Sequence, residues 1–419
     1  MSDMSGRVTS RSDLDRIAGT QLPATRRQLV PGQSDFWRLW VVGLVIFTVR
    51  WLETIVVGVF VYRQTGSPFI VAAVTMLRLL PMGLLGAFLG AWAERTDRRL
   101  TLIVVVAMML VASLSLALLA WVGTLAVWHV ALASLINGVG WATDNPVRRA
   151  LIGEVTGSAQ MARAMSLDVG ANNASRMVGP TVGGLLLASL GMPGVFGLSV
   201  CLYSIALLSA LRIRHRDRQV TTTEHVVGRI AEGLRFVRQD RRLIGILLVT
   251  VIYNLFGWPF TSMVPVVGQD TLHLDAEEIG ILASMDGVGA FFGALLLTVF
   301  LRPAWHARAY IGGIISYLVL LIVFAMTAQP LIAGAALMLT GLGGAGFSTM
   351  QATLVYLASP PEMRSRILGV LSVCIGVGPL GFIGLGMLAN EIGANASIMA
   401  TGTIGLLAML LTRPLWRHI

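Results

Sequence analysis

The chain has no lysine; all 31 of its basic residues are arginine. A phosphate-binding loop of the G-x-x-x-x-G-K-[ST] type needs its lysine for the β/γ-phosphates, so ATP as a direct fuel is excluded on that chemistry. Cysteine is nearly absent as well. Cys201 and Cys374 fall inside apolar stretches far apart in sequence, and no disulfide framework follows. Charged residues make up only 12% of the 419 positions, against 55% hydrophobic residues and 46 glycines. That balance, with a mean hydropathy of +0.77, lies far from a soluble globular average. The six histidines form no metal-ligand spacing and no Ser/His/Asp or H-E-x-x-H signature is present in the apolar stretches. Neither a metal site nor a cofactor is therefore expected. Residues 1–35 contain no apolar core of seven or more residues, so they do not form a cleavable signal peptide and read as a disordered cytosolic tail.

Long apolar runs are what the chain does have. A helix needs about 20 such residues to cross a bilayer, and the pattern predicts twelve crossings. Six are expected near 36–63, 67–92, 100–121, 125–150, 161–190 and 192–211, and six more near 242–267, 276–301, 309–327, 330–357, 363–389 and 394–415. The fold class is all-α and polytopic, with two pseudo-symmetric six-helix bundles at 36–211 and 242–419 joined by a cytosolic linker at 212–241. In that linker Thr221 and Glu224 fit a capping box. Val226, Ile230, Leu234 and Val237 then recur at helical spacing opposite an arginine-rich face. An amphipathic helix at the inner membrane surface is expected there, serving as a tether.

Placing both termini in the cytosol assigns 27 arginines to the cytosolic face, three to span interiors (Arg50, Arg78, Arg176) and Arg63 alone to the outside. This is the positive-inside pattern, so the net charge of +10 reports topology and not nucleic-acid binding. The partners expected are the lipid bilayer and a small-molecule cargo, with the chain acting as a monomer.

Ionisable groups at membrane depth are candidates for function. Glu53 lies ten residues from the outer end of the first span and Arg78 eleven from that of the second. At about 1.5 Å per residue both sit about 15 to 17 Å deep, which makes a Glu53–Arg78 pair natural. Arg50 precedes Glu53 by one turn on the same face. A carboxylate flanked by arginines suits a proton cycle, and a permanent structural ion pair is the alternative. Arg176 and Asp286 form a second, weaker pair, because their estimated depths differ by about 9 Å. Asp168, near the inner end of the fifth span, reads as an interfacial charge. For a cargo cavity, Asn137 and Asn145 in the fourth span, Asn172 and Asn173 in the fifth, and Tyr253, Asn254 and Trp258 in the seventh supply polar and aromatic groups amid apolar walls.

Residues 163–188 and 364–389 repeat one pattern, with basic residues at the start and a Gly-Pro pair followed by further glycines. A six-span repeat in which both copies run the same way implies two halves related by an axis along the membrane normal.

The loop "GAWAERTDRR" at 90–99 resembles the G-x-x-x-D-R-x-G-R-R motif of the major facilitator superfamily. Gly90, Arg95, Arg98 and Arg99 match, Glu94 stands for the aspartate and Asp97 for the second glycine. With "YRQTGSP", "EGLRFVR" and "PEMRSRILGV", the chain is similar over roughly 36–415 to the branch of drug, macrolide and siderophore (enterobactin-type) exporters of the bacterial cytoplasmic (inner) membrane. The resemblance implies that Glu94 faces the N-terminal dipole of the eleventh span, and Arg98 is expected to pair with Asp144, so that the loop latches the inner side. Ser166, Ser175, Gly179, Pro180, Gly183 and Gly184 resemble the antiporter motif, with serines for its first two glycines. Close packing of this segment against Gly280, Gly287, Gly289 and Gly293 of the eighth span is expected.

The function expected is secondary transport by alternating access, as proton-coupled efflux of an amphipathic small molecule, a drug or a siderophore. The alternative is a lysolipid or siderophore carrier working inward. An intramembrane enzyme is disfavoured because no catalytic constellation is present.

Overall fold

The computed structural model describes residues 34–214, 226–417 and 419, and it is all-helical among them. The expected tail therefore lies outside the described residues, except that Ser34 and Asp35 already open the first helix, and so do Thr221 and Glu224 of the expected capping box. Because no water in the hydrocarbon core can satisfy a bare backbone, a chain this apolar crosses as helices. Among the described residues, nine helices are long and apolar enough to cross, one of which, Gln160–Leu211, contains two crossings.

Twelve crossings result. Spans one to three are Ser34–Thr65, Pro68–Arg95 and Arg98–Val122. Spans four to six occupy Val127–Leu211, where the chain leaves helical geometry at Gly157 (φ 67°) and Gly191 (φ 66°) and so divides into segments 127–156, 158–190 and 192–211. Both turns need a positive φ, which glycine adopts without the Cβ clash of other residues. Span four carries Asp144, Asn145, Arg148 and Arg149, so it is too polar to register as a crossing by composition.

Span seven departs from the single helix expected. It runs as an α-helix over Arg241–Ile252, a π turn at Tyr253–Gly257, a 3-10 turn at Trp258–Ser262 and a final α-helix at Val264–Asp270. Pro259 and Pro265 each remove a backbone donor, and the register shift absorbs the missing bonds. Spans eight to ten are Ala276–Phe300, His306–Met326 and Pro330–Ala358. Span eleven breaks before Pro379 into Arg364–Ile375 and Gly378–Ile392, and span twelve is Ala394–Leu411. Span five keeps its proline, Pro180, inside one helix, so the two repeats differ at the Gly-Pro pair.

The linker helix, Val226–Val237, does not float. Ile230 and Val237 pack into the core of the second bundle, and Arg366 Nε lies 3.0 Å from Glu232 Oε2.

Spans two and eleven, and spans five and eight, form the main seams between the bundles. The six-span repeat exchanges these two seams with each other. The apolar cores show how the bundles meet. Away from the arginine-rich face, one cluster joins Val57, Val61 and Val71 of the first bundle to Phe260, Val264 and Leu385 of the second. Near the arginine-rich face the clusters are separate, one confined to the first bundle (Phe36, Leu102, Leu151, Tyr203) and one to the second (Leu243, Tyr310, Val355, Ile367). Among the described residues the bundles thus share one apolar core at one rim and have separate cores at the other, where span two still touches Arg364–Ile375 and the linker helix. Tyr62 donates to Asp270, and Ser67 Oγ lies 3.2 Å from Asn390 Oδ1, both across the fused rim.

Candidate functional site

Three groups of charged side chains lie within the bundles. In the first, Arg78 of span two lies 3.4 Å from Glu53 Oε2 of span one and donates to Thr54 Oγ1 at 3.3 Å. Asn137 Nδ2 of span four donates to the same Glu53 oxygen at 3.4 Å. Glu53 is 2% exposed and its Oε1 makes no close hydrogen bond. The Ser113 and Ser199 hydroxyls also neighbour the carboxylate, and its contacts to Arg78 and Asn137 are long; a well-formed charge-assisted bond is closer to 2.8 Å.

In the second, Arg176 of span five grips Asp286 of span eight through Nε at 3.1 Å and through Nη2, on the same oxygen. This pair joins the bundles. Trp51 of span one packs beside it, with Arg176 Cζ 5.3 Å from the indole centroid, and Trp51 Nε1 donates to Asn172 Oδ1 at 3.2 Å. Trp51, Thr54, Arg176, Phe260, Asp286 and Leu337 line a cavity of about 30 Å³, room for roughly two waters and for no larger cargo. Sequence reasoning set this pair near the limit of arginine reach, whereas the structure closes it directly.

Arg50 behaves differently from the expectation of a second arginine on Glu53. Its guanidinium lies 3.5 Å from the ring centroid of Trp141 in span four and 5.6 Å from that of Trp51, with no carboxylate paired to it among the described residues.

The third group lies near the arginine-rich face. Arg148 is fully buried and binds Asp144 through Nε at 3.1 Å and Asp168 through Nη1, while Arg149 reaches the other Asp168 oxygen at 3.3 Å. Two carboxylates and two guanidinium groups balance. Asp168 is 1% exposed, so it is a buried partner and not an interfacial charge. Arg98 pairs with Glu154 and not with Asp144, which Arg148 already occupies. Asp97 caps span three by accepting from Leu100 N at 2.9 Å, and Arg99 donates to Leu211 O at 3.0 Å. The side chains of Gly90, Glu94 and Arg95 lie outside the described ones.

The glycines of span five divide between two neighbours. Cβ atoms added at Gly179 and Gly183 would meet span one, at 3.0 Å from Leu52 N and 2.6 Å from Leu52 O. Of these three, only Gly184 faces span eight: a Cβ added there would lie 2.9 Å from Gly280 Cα, and one added at Gly280 would lie 2.5 Å from Pro180 O. Gly287 packs on the Arg176 backbone, whereas Gly289 and Gly293 turn toward Met338 and Leu342 of span ten. Ser175 shares a 3.0 Å hydrogen bond with Thr48, and Ser166 returns to Ala162 O on an exposed surface.

The polar and aromatic residues expected at a cavity do not form one wall. Asn137 belongs to the Glu53 group and Asn172 to Trp51. Asn254 is buried and donates to Thr250 O of its own helix at 2.8 Å. Tyr253 stacks on Phe347, and Trp258 meets Phe382 edge-on. Sequence reasoning missed Trp51, Thr54, Trp141 and Arg148. Arg148 alone left a countable signal, lying nine residues before Gly157 while Asp168 lies eleven after it, level across that turn.

Solved structures share this architecture. A crystal structure of the nucleoside transporter NupG superposes with a TM-score of 0.76 at 12% identity, covering 91% of this chain and all of that one. Among curated sequences, macrolide efflux protein A of Streptococcus pyogenes is 22% identical over 375 residues, covering 88% of this chain and 93% of the relative. The multidrug efflux pump Tap of Mycolicibacterium fortuitum is 27% identical over 393 residues (88% and 92%), and the staphyloferrin A transporter of Staphylococcus aureus is 21% identical over 371 residues (86% and 92%). Residues 29–416 match the family described as transmembrane secretion effectors. Twelve helices in two bundles, buried charged groups within and between them and a family match along nearly the whole membrane region agree: the chain belongs to the transmembrane secretion effectors of the major facilitator superfamily and is a multi-pass membrane transporter, not an enzyme.

Proposed function

We propose that this transporter exports an amphipathic small molecule from the bacterial cytoplasm by alternating access, driven by inward proton flow, with Glu53 as the proton-carrying group. The observation that carries the reading is a buried carboxylate in loose contacts: Glu53 is held by Arg78 and Asn137 at 3.4 Å each on Oε2, with the Ser113 and Ser199 hydroxyls beside it and no close hydrogen bond on Oε1. A carboxylate held by long contacts can take up and release a proton without dismantling a tight ion pair. A proton arriving on Oε1 cancels the charge without first breaking the Arg78 contact.

Efflux is supported by the relatives, two of which carry efflux in their names. In this reading the arginine-rich face is cytosolic, as are both termini, and the chain works as a monomer in the inner membrane. The fused rim is then the outer side. The described bundle cores separate toward the cytosol, where cargo enters.

The test is uphill transport, downhill exchange and protein yield for Glu53→Gln, Arg78→Met and the double variant in proteoliposomes. A coupling role predicts that Glu53→Gln abolishes uphill efflux and keeps exchange. A purely structural pair predicts low yield in Glu53→Gln, relieved by adding Arg78→Met. Retained uphill efflux in Glu53→Gln removes Glu53 from the proton path and leaves Asp286, the buried carboxylate at the seam, whose Oδ1 has no hydrogen bond.

A further inference from the structure

The charges at mid-membrane do not balance. Among the described residues, Arg78 is matched by Glu53 and Arg176 by Asp286, which leaves Arg50 without a carboxylate. Its guanidinium covers the face of Trp141, and an aromatic face recovers only part of what a cation loses on leaving water. The side chain is neither sealed in the core nor free in solvent; it is half-buried, with Arg176 also beside Trp51.

The neighbouring polar groups are unsatisfied in the same sense. The Trp141 indole Nε1–H is buried with no acceptor. One turn further along span four the Asn145 amide oxygen is also unpartnered. At an amide, oxygen and nitrogen exchange places by a flip, so Asn145 offers a donor as readily as an acceptor. Arg50 on span one and Trp141 and Asn145 on span four thus bring together donors and one positive charge with no acceptor for them among the described residues. An unpaired cation at this depth marks a ligand pathway.

Resting on the efflux reading above, we propose that the cargo carries an anionic group, a carboxylate or phosphate, which docks on Arg50 against Trp141. The anion completes the charge balance at mid-membrane, and the apolar remainder of the cargo lies along the aromatic side chains. Lipid phosphates sit at the membrane surface, about 15 Å from mid-depth, so the cargo and not a bound lipid supplies the anion.

The experiment measures binding of three fluorescent probes to the purified full chain in phosphatidylcholine nanodiscs: dansylglycine, its neutral amide and the cationic dansylcadaverine. The expected result is that dansylglycine binds at least about tenfold tighter than either of the others. Arg50→Gln should weaken dansylglycine by about 10- to 100-fold and leave the amide unchanged, the loss expected for one charge-assisted contact. Arg50→Lys should keep the preference for the acid. Arg50→Gln should also melt no lower than the wild type, since it removes an unpaired cation, whereas a structural role for Arg50 predicts a lower melting temperature.

Equal affinity for the three probes, no binding of dansylglycine, or an unchanged dansylglycine affinity in Arg50→Gln would overturn the assignment. So would displacement of dansylglycine when phosphatidylglycerol is added to the nanodiscs, because the anion would then come from lipid. Binding is read without a gradient, so failure here leaves proton-coupled efflux standing, and failure of the Glu53 test leaves the anion site standing.

Discussion

Gly184 of span five and Gly280 of span eight meet backbone to backbone, so that a Cβ on Gly184 would lie 2.9 Å from Gly280 Cα and closer still to Ala276 O. Neither neighbour is a side chain that can swing away. Gly184→Leu is expected to hold the bundles apart at the fused rim and reduce transport at least tenfold with near-normal yield. Gly183→Leu, which meets Leu52 of its own bundle, is expected to lower yield and melting temperature instead. Measuring both quantities for both variants separates the seam from the bundle interior; identical behaviour would contradict the division.

Asp286→Asn removes the charge that ties span eight to Arg176 across the seam. The closed rim then loses one of its bridging contacts, and the population shifts toward opening there. A single cysteine at Asn390→Cys, in a Cys201→Ser, Cys374→Ser background, is expected to react with maleimide at least threefold faster when Asp286→Asn is present. An unchanged rate would show that the pair does not bias the conformation.

Arg148→Met leaves Asp144 and Asp168 buried, with only the half-exposed Arg149 beside them. Stranding buried charges in this way costs about 3–5 kcal/mol, so this variant is expected to fold poorly, and Asp168→Asn to restore part of the yield when combined with it. Fluorescence-detected size exclusion of the single and double variants checks the coupling.

The Arg98–Glu154 pair is more exposed, at 15% and 28%, and lies within one bundle. Surface pairs of this kind contribute about 0–1 kcal/mol. Arg98→Ala and Glu154→Ala should each shift the melting temperature by no more than a few degrees, and the double variant by less than their sum. A large loss of transport in Arg98→Ala at unchanged melting temperature would place its role in the conformational cycle and not in the fold.

Periodicity and loop charge made the twelve helices legible, since an apolar run of bilayer length has one stable form in lipid. Depth counting brought Glu53 to Arg78 because both spans are continuous from their outer ends. The same counting misjudged Arg176 and Asp286: it treats helices as upright rods from a common plane, and tilted spans meeting at glycines bring their side chains closer. Span seven was read as one helix because Pro259 and Pro265 interrupt the backbone without interrupting the apolar run. Arg50 was assigned to Glu53 by helical spacing alone. Its rotamer instead follows Trp141, a residue on another span that spacing cannot bring near.

The docking of the linker helix on the second bundle has a practical consequence. Through Ile230, Val237 and the Glu232–Arg366 contact, Val226–Val237 packs chiefly on span eleven of the second bundle. A protein fused at the start of this helix would report the orientation of the C-terminal half. In electron micrographs such a fusion would serve as a pointer, and the angle it makes with the first bundle would read out the conformational cycle particle by particle.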